Sequence, residues 1–207
     1  MRICVYCSSS DGLDSKYYEE GRAFGRELAK RGHSLVYGGY CKGIMAAVAE
    51  GVHENGGEIT AVVPKVFDRE GFTYEGCTRV IKTPDMNSRK KTMEAEAEAI
   101  AVLPGGIGTM DEFFEALVLK TIGEFDKPVG VLNTAGCYDI LVQLLDRSTE
   151  DGFLSTSNRE CARFFTDADV MLDHLEKESG LYDYPFIPLW DEASEILILG
   201  SFPSVKS

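Results

Sequence analysis

Apolar and polar positions along the chain switch repeatedly between a short continuous run and a helical period. Residues 2–7, Arg-Ile-Cys-Val-Tyr-Cys, predict a first strand, and the polar stretch Ser8 to Gly12 closes it. Tyr17, Gly21, Phe24 and Leu28 then recur at helical spacing until Arg31-Gly32. Ser34 to Tyr37 predicts a second strand, which runs into the glycine loop Gly38 to Gly43. A helix marked by Met45, Val48, Ala49 and Val52 follows and stops near Asn55-Gly56-Gly57. Glu58 to Val63 predicts a third strand, ended by Pro64, and residues 65–77, which have no period, read as a surface loop around Asp68-Arg69-Glu70-Gly71. Val80-Ile81 is a short strand. From Pro84 a helix carries Met86, Arg89, Lys90 and Met93 and continues in Ala-Glu repeats through Ala97. Ala99 to Leu103 is a buried strand that breaks at Pro104-Gly105-Gly106-Ile107-Gly108, before a helix marked by Phe114, Leu117, Val118 and Thr121. Val129 to Leu132 forms a last apolar strand. A helix through Ile140, Leu141, Leu144 and Leu145, a polar turn, and a final helix near Ala168 to Leu175 complete the pattern.

Strand and helix signals alternate throughout, which predicts an α/β fold: a parallel sheet with helices on both faces. In such sheets ligands bind beyond the carboxyl ends of the strands, where strand order reverses. Three donor-rich loops follow strands, at 8–12, 38–43 and 104–109, and together they would make a nucleotide cradle.

Composition narrows the partners. A net charge of −13 argues against general nucleic-acid binding by residues 1–180, so an anionic substrate needs local positive groups. The apolar runs are too short to span a membrane, and Met1-Arg2-Ile3 enters a strand directly, which leads us to expect a cytoplasmic protein. Six scattered cysteines do not make a disulfide framework. Cys4 and Cys7 have C-x-x-C spacing, but an odd separation in a strand points the thiols to opposite faces, which suits buried thiols better than a metal or redox pair.

Two stretches carry candidate chemistry. In Pro104 to Glu112, glycines let a backbone approach a ligand closely, and the free N–H groups at the following helix end favour phosphate. Glu112 would serve another part of that ligand, such as sugar hydroxyls or a water. Thr109-x-x-Glu112 is also the spacing of a capping box, with Thr109 at the N-cap, a purely structural alternative. Neither a Walker loop nor G-x-G-x-x-G fits, because no Lys-Ser/Thr follows and Asp111 stands at the third glycine. The second stretch, Met86 to Lys91, is the densest basic cluster of an acidic chain. Arg89 shares a helical face with Met93, and its planar fork suits phosphate. A solvated surface cluster is the competing reading.

These motifs together resemble the LONELY GUY (LOG) family of cytokinin riboside 5′-monophosphate phosphoribohydrolases. The family's P-G-G-x-G-T-x-x-E stands at Pro104 to Glu112, and its M-x-x-R-K at Met86 to Lys90. Cys7-x-Ser9-Ser10, Tyr37-Gly38-Gly39 with Gly43-x-Met45, Asp126 to Gly130 and Glu150-x-Gly152-Phe153 add to the match. The resemblance implies a Rossmann-like fold over residues 1–180, a homodimer, and hydrolysis of the N-glycosidic bond of an adenosine 5′-monophosphate, a small-molecule nucleotide, with no cofactor and no metal. It makes Arg89 and Glu112 the catalytic pair. It assigns substrate contacts to Ser9, Ser10, Gly38, Gly39, Gly43, Met45, Glu70 and Lys90, and to Gly105, Gly106, Ile107, Gly108 and Thr109. Family members are often labelled lysine decarboxylases, but nothing in this chain supports pyridoxal phosphate chemistry.

The chain departs from the family at Ser8, Tyr40, Lys42, Asn87 and Leu119-Lys120-Thr121, which bears on the identity of the base. Arg89 could anchor the phosphate or assist the departing base. A non-hydrolytic nucleotide or molybdenum-cofactor carrier using the same cradle is the alternative function. The tail, residues 181–207, has an apolar run entering Gly200-Ser201-Phe202-Pro203 that is similar to the opening of mismatch-specific DNA glycosylases. An extra strand is the other reading of that tail.

Overall fold

The computed structural model describes residues 1–181, so the tail lies outside the described residues. Among these residues seven strands form one sheet: β1 (Arg2–Tyr6), β2 (Ser34–Tyr37), β3 (Ile59–Pro64), β4 (Arg79–Thr83), β5 (Ala99–Val102), β6 (Val129–Leu132) and β7 (Arg163–Phe165). Their order is β4-β3-β2-β1-β5-β6-β7, and every pairing is parallel. Strand order therefore reverses between β1 and β5, which opens a crevice at their carboxyl ends.

Among the described residues seven α-helices cover the sheet: α1 (Ser15–Lys30), α2 (Gly43–Glu54), α3 (Met86–Glu96), α4 (Ile107–Thr121), α5 (Asp139–Glu150), α6 (Thr156–Glu160) and α7 (Ala168–Glu178). Alternate strand residues feed two cores. Ile3, Val5 and Cys7 pack with Phe24, Val48 and Met171 from α1, α2 and α7. Cys4 and Tyr6 pack with Met93, Phe113 and Leu141 from α3, α4 and α5. The two thiols thus face opposite layers, as the odd spacing requires, and burial raises the pKa of both.

The polar turn expected after α5 contains two further elements, α6 and β7. Ser155 caps α6, its hydroxyl accepting from the Asn158 N–H at 3.2 Å. The three-residue β7 is too short to show a period and is defined by pairing with β6. At the other end of the sheet, Glu176 of α7 is buried and bonds His33 at 2.6 Å, with Arg31 at 3.4 Å. This cluster ties α7 to the entry of β2. Among the described residues no helix is long and apolar enough to cross a membrane.

Candidate active site

Main-chain hydrogen bonds join the three loops that leave β1, β2 and β5. Ser8 donates its N–H to the Pro104 carbonyl at 3.0 Å, and its own carbonyl accepts from the Met45 N–H at 3.1 Å. One residue therefore links the first loop to the other two. Gly43 makes this approach possible: its φ is 66°, and a Cβ there would lie 2.6–2.9 Å from the backbone of Ser8, Ser9 and Ser10. The Tyr138 hydroxyl donates to the Leu103 carbonyl at 2.9 Å and braces the third loop from below.

A cavity of about 450 Å³ lies between these loops. Ser9, Ser10, Gly38 and Met45 line one part of its wall, and Gly106, Ile107, Gly108 and Thr109 another. Arg89 and Glu112 line it as well, brought from α3 and α4. Asp85 caps α3, its carboxylate accepting from the Ser88 N–H at 2.8 Å, and sets Arg89 one turn into the helix. Arg89 is only 5% exposed. Its Nε donates to the Val62 carbonyl at 3.2 Å, and its Nη1 donates to Glu112 Oε1 at 2.8 Å. A side chain at Gly38 would overlap Nη2, so a glycine at that position lets the guanidinium reach the cavity wall.

The capping-box alternative is overturned. Helix α4 starts at Ile107 with Gly106 as its N-cap, so Thr109 is the third helical residue and Glu112 the sixth. The Met110 N–H donates to the Gly106 carbonyl at 3.0 Å, and the N–H groups of residues 107–109 precede this first helical bond. Thr109 packs against Gly105, where a Cβ would overlap its side chain. Glu112 turns to Arg89 instead of the helix end. Burial raises its carboxyl pKa, and the charge and hydrogen bond of Arg89 oppose that rise.

Not every expected contact lines the cavity. Lys90 points away from it, bonded to Asp111 at 2.9 Å and paired with Glu115. Glu70 is exposed on the loop after β3, while its neighbour Arg69 lines the cavity. Gly39, Gly43 and Gly105 stand behind the lining and shape the loop backbones. Sequence reasoning missed Phe67 and Phe72, which form a wall together with Tyr40. The one signal was Tyr40 itself, a bulky ring set within a glycine loop. Among the described residues no group of three or more His, Cys, Asp or Glu side chains is placed to hold a metal ion.

A family model described as "Possible lysine decarboxylase" matches residues 45–175. Cytokinin riboside 5′-monophosphate phosphoribohydrolase LOG4 of Arabidopsis thaliana is 37% identical over 182 residues, 88% of this chain and 85% of that protein. The chain belongs to the LOG family. Arabidopsis LOG7, which bears the same enzyme name, is 36% identical over 196 residues, covering 94% of this LOG chain and 90% of its own. Among solved structures, the molybdenum cofactor binding protein of Rippkaea orientalis superposes with a TM-score of 0.66 over 85% of this chain and 95% of its own. At 15% identity that likeness is one of fold alone.

Proposed function

We propose that this LOG-family chain hydrolyses the N-glycosidic bond of adenosine 5′-monophosphates, releasing the free base and ribose 5-phosphate. The observation that carries the reading is the buried Arg89–Glu112 pair in the wall of a cavity that also holds a helix N-terminus. Desolvating two charges costs several kcal/mol per ion on general grounds, and stability alone does not call for such a pair. A nucleotide or cofactor carrier has no evident use for it.

In this reading the substrate phosphate sits against the N–H groups of residues 107–109, where Gly106 and Gly108 have open space beside them. The sugar then lies over Glu112. Breaking the bond between C1′ and the base nitrogen builds positive charge on the ribose, as in glycoside hydrolysis. Ionised Glu112 stabilises that charge and orients the water that adds to C1′. The water's oxygen and one proton end on C1′ as a hydroxyl, and its second proton passes by way of Glu112 and solvent to the departing base nitrogen. Arg89 holds the Glu112 carboxylate in one orientation and opposes its protonation in a desolvated site. The test is incubation with AMP and N6-isopentenyl-AMP, with chromatography of the products. Absence of free base and ribose 5-phosphate from both substrates overturns the proposal.

We also propose a homodimer, supported by the family assignment and by Val118 and Ile122, which are exposed near the end of α4. Light scattering on the eluting protein tests it, and a monomer mass at micromolar concentration overturns it.

A further inference from the structure

We propose that Tyr40, Phe72 and Phe67 are the base-binding end of the cavity and read the nucleobase by its ring face, an inference that rests on the nucleotide-hydrolase reading above. The Phe72 ring lies between the other two, with centroids 4.6 Å from Tyr40 and 5.1 Å from Phe67. The Phe67 and Phe72 planes are within 7° of parallel. Phe72 is buried and Phe67 is 38% exposed, and both line the cavity.

The surrounding backbone holds these rings in place. Tyr40 and Thr73 form an antiparallel bridge, the Cys41 N–H donates to the Phe72 carbonyl at 3.0 Å, and the Tyr74 N–H donates to the Gly39 carbonyl at 3.0 Å. The loop after β3 is thereby fastened to the second glycine loop, the loop that touches Arg89 through Gly38. Tyr40 follows Gly38 by two residues, at most about 7 Å of chain, so the ring-bearing segment is continuous with the glycine that borders the Arg89 guanidinium.

The two parts of the cavity differ in chemistry. Serines, helix N–H groups and the Arg89–Glu112 pair serve a phosphate and a sugar. Met45 and Met86 also line the cavity, and their polarisable sulfurs favour aromatic faces. No Asn or Gln is among the residues that line the cavity, and Arg69, on the same loop as Phe67 and Phe72, offers donors but no acceptor, so paired donor and acceptor reading of a base edge has few side chains to draw on. Stacking is indifferent to edge groups, because every base has a π-face. The site is therefore expected to favour the larger purine face over a pyrimidine and to accept an apolar substituent at N6.

The test compares Phe67→Ala and Phe67→Trp with the wild type, using AMP and CMP as substrates and ribose 5-phosphate, which lacks a base, as inhibitor. Stacking predicts that Phe67→Ala raises KM for AMP about tenfold with kcat within about twofold, and that Phe67→Trp restores KM. The ribose 5-phosphate inhibition constant should stay within about twofold, and the wild type should turn over AMP at least about tenfold better than CMP. An unchanged KM in Phe67→Ala, equal turnover of AMP and CMP, or an inhibition constant that rises in step with KM overturns the proposal. If the wild type releases no base from AMP, the hydrolase reading fails separately, and calorimetric binding of AMP decides the aromatic base site. Binding weakened about tenfold by Phe67→Ala supports it, and equal or absent binding in both proteins overturns it.

Discussion

Glu112→Gln separates chemistry from stability in this protein. The substitution keeps the shape of the side chain and leaves an amide oxygen to accept from Arg89 Nη1, a bond of 2.8 Å in the native protein. What it loses is the counter-charge of a buried guanidinium, and because the amide oxygen still accepts, the cost falls at the low end for breaking a buried pair, about 3 kcal/mol. For a domain of this size that lowers Tm by about 6–12 °C and leaves the folded state dominant at 25 °C. The chemical effect is larger. Removing one preorganised group that faces developing charge costs about 10²–10³-fold, and a carboxylate facing an oxocarbenium-like sugar belongs at the upper end, about 4 kcal/mol at 1.36 kcal/mol per tenfold. Base release from AMP and N6-isopentenyl-AMP, followed by chromatography beside thermal unfolding, measures both quantities. A variant that keeps more than about a tenth of wild-type kcat/KM refutes the assignment of Glu112 as the charge-stabilising group.

Other perturbations test the surrounding geometry. Because burial raises the Glu112 pKa and the reaction uses the ionised form, kcat/KM should fall on acidification at a pH above the usual glutamate range. Arg89→Met removes the largest opposing influence and should move that acid limb to higher pH while lowering the plateau, as a pH–rate series would record. Gly38→Ala places a methyl group against a guanidinium already held by Val62 and Glu112, and should lower kcat/KM by about 10²-fold, a loss of the size caused by small misplacements at reacting centres. Glu176→Ala leaves the buried His33 without its carboxylate and should cost about 3 kcal/mol, or roughly 6–12 °C in Tm. The His33 pKa is lowered chiefly by burial, so the unfolded chain takes up that proton first. Stability is therefore full above the usual histidine value and lost as pH falls through it, and His33→Gln should flatten the decline of Tm between about pH 7.5 and 5.5.

The alternation of strand and helix was legible in the sequence because each central element is long and strongly patterned. Arg89 could be picked out because Met93, one turn further on, marks a buried face, and the structure buries both. Glu112 could be located but its partner could not: Thr109 and Glu112 have capping-box spacing, and only the start of α4 at Ile107 removes that role. Lys90 was expected to touch the substrate, and only the ion pairs that join α3 to α4 show it bonded to Asp111 and Glu115 instead. The aromatic wall was hidden for another reason. Phe67 and Phe72 lie in a segment without period, and the contact of Phe72 with Tyr40 depends on a single long-range backbone bridge, a relation that no local pattern encodes.

Opposite layers of the sheet carry the two parts of the cavity. The acid and its guanidinium stand on α3 and α4, whereas the rings belong to loops leaving β2 and β3, and Ser8 joins the frameworks through main-chain atoms alone. With Gly38 kept, the ring side chains on those loops can thus be exchanged without disturbing the bond between the two helices. Selection can retune which heterocycle leaves while the hydrolytic apparatus is inherited intact.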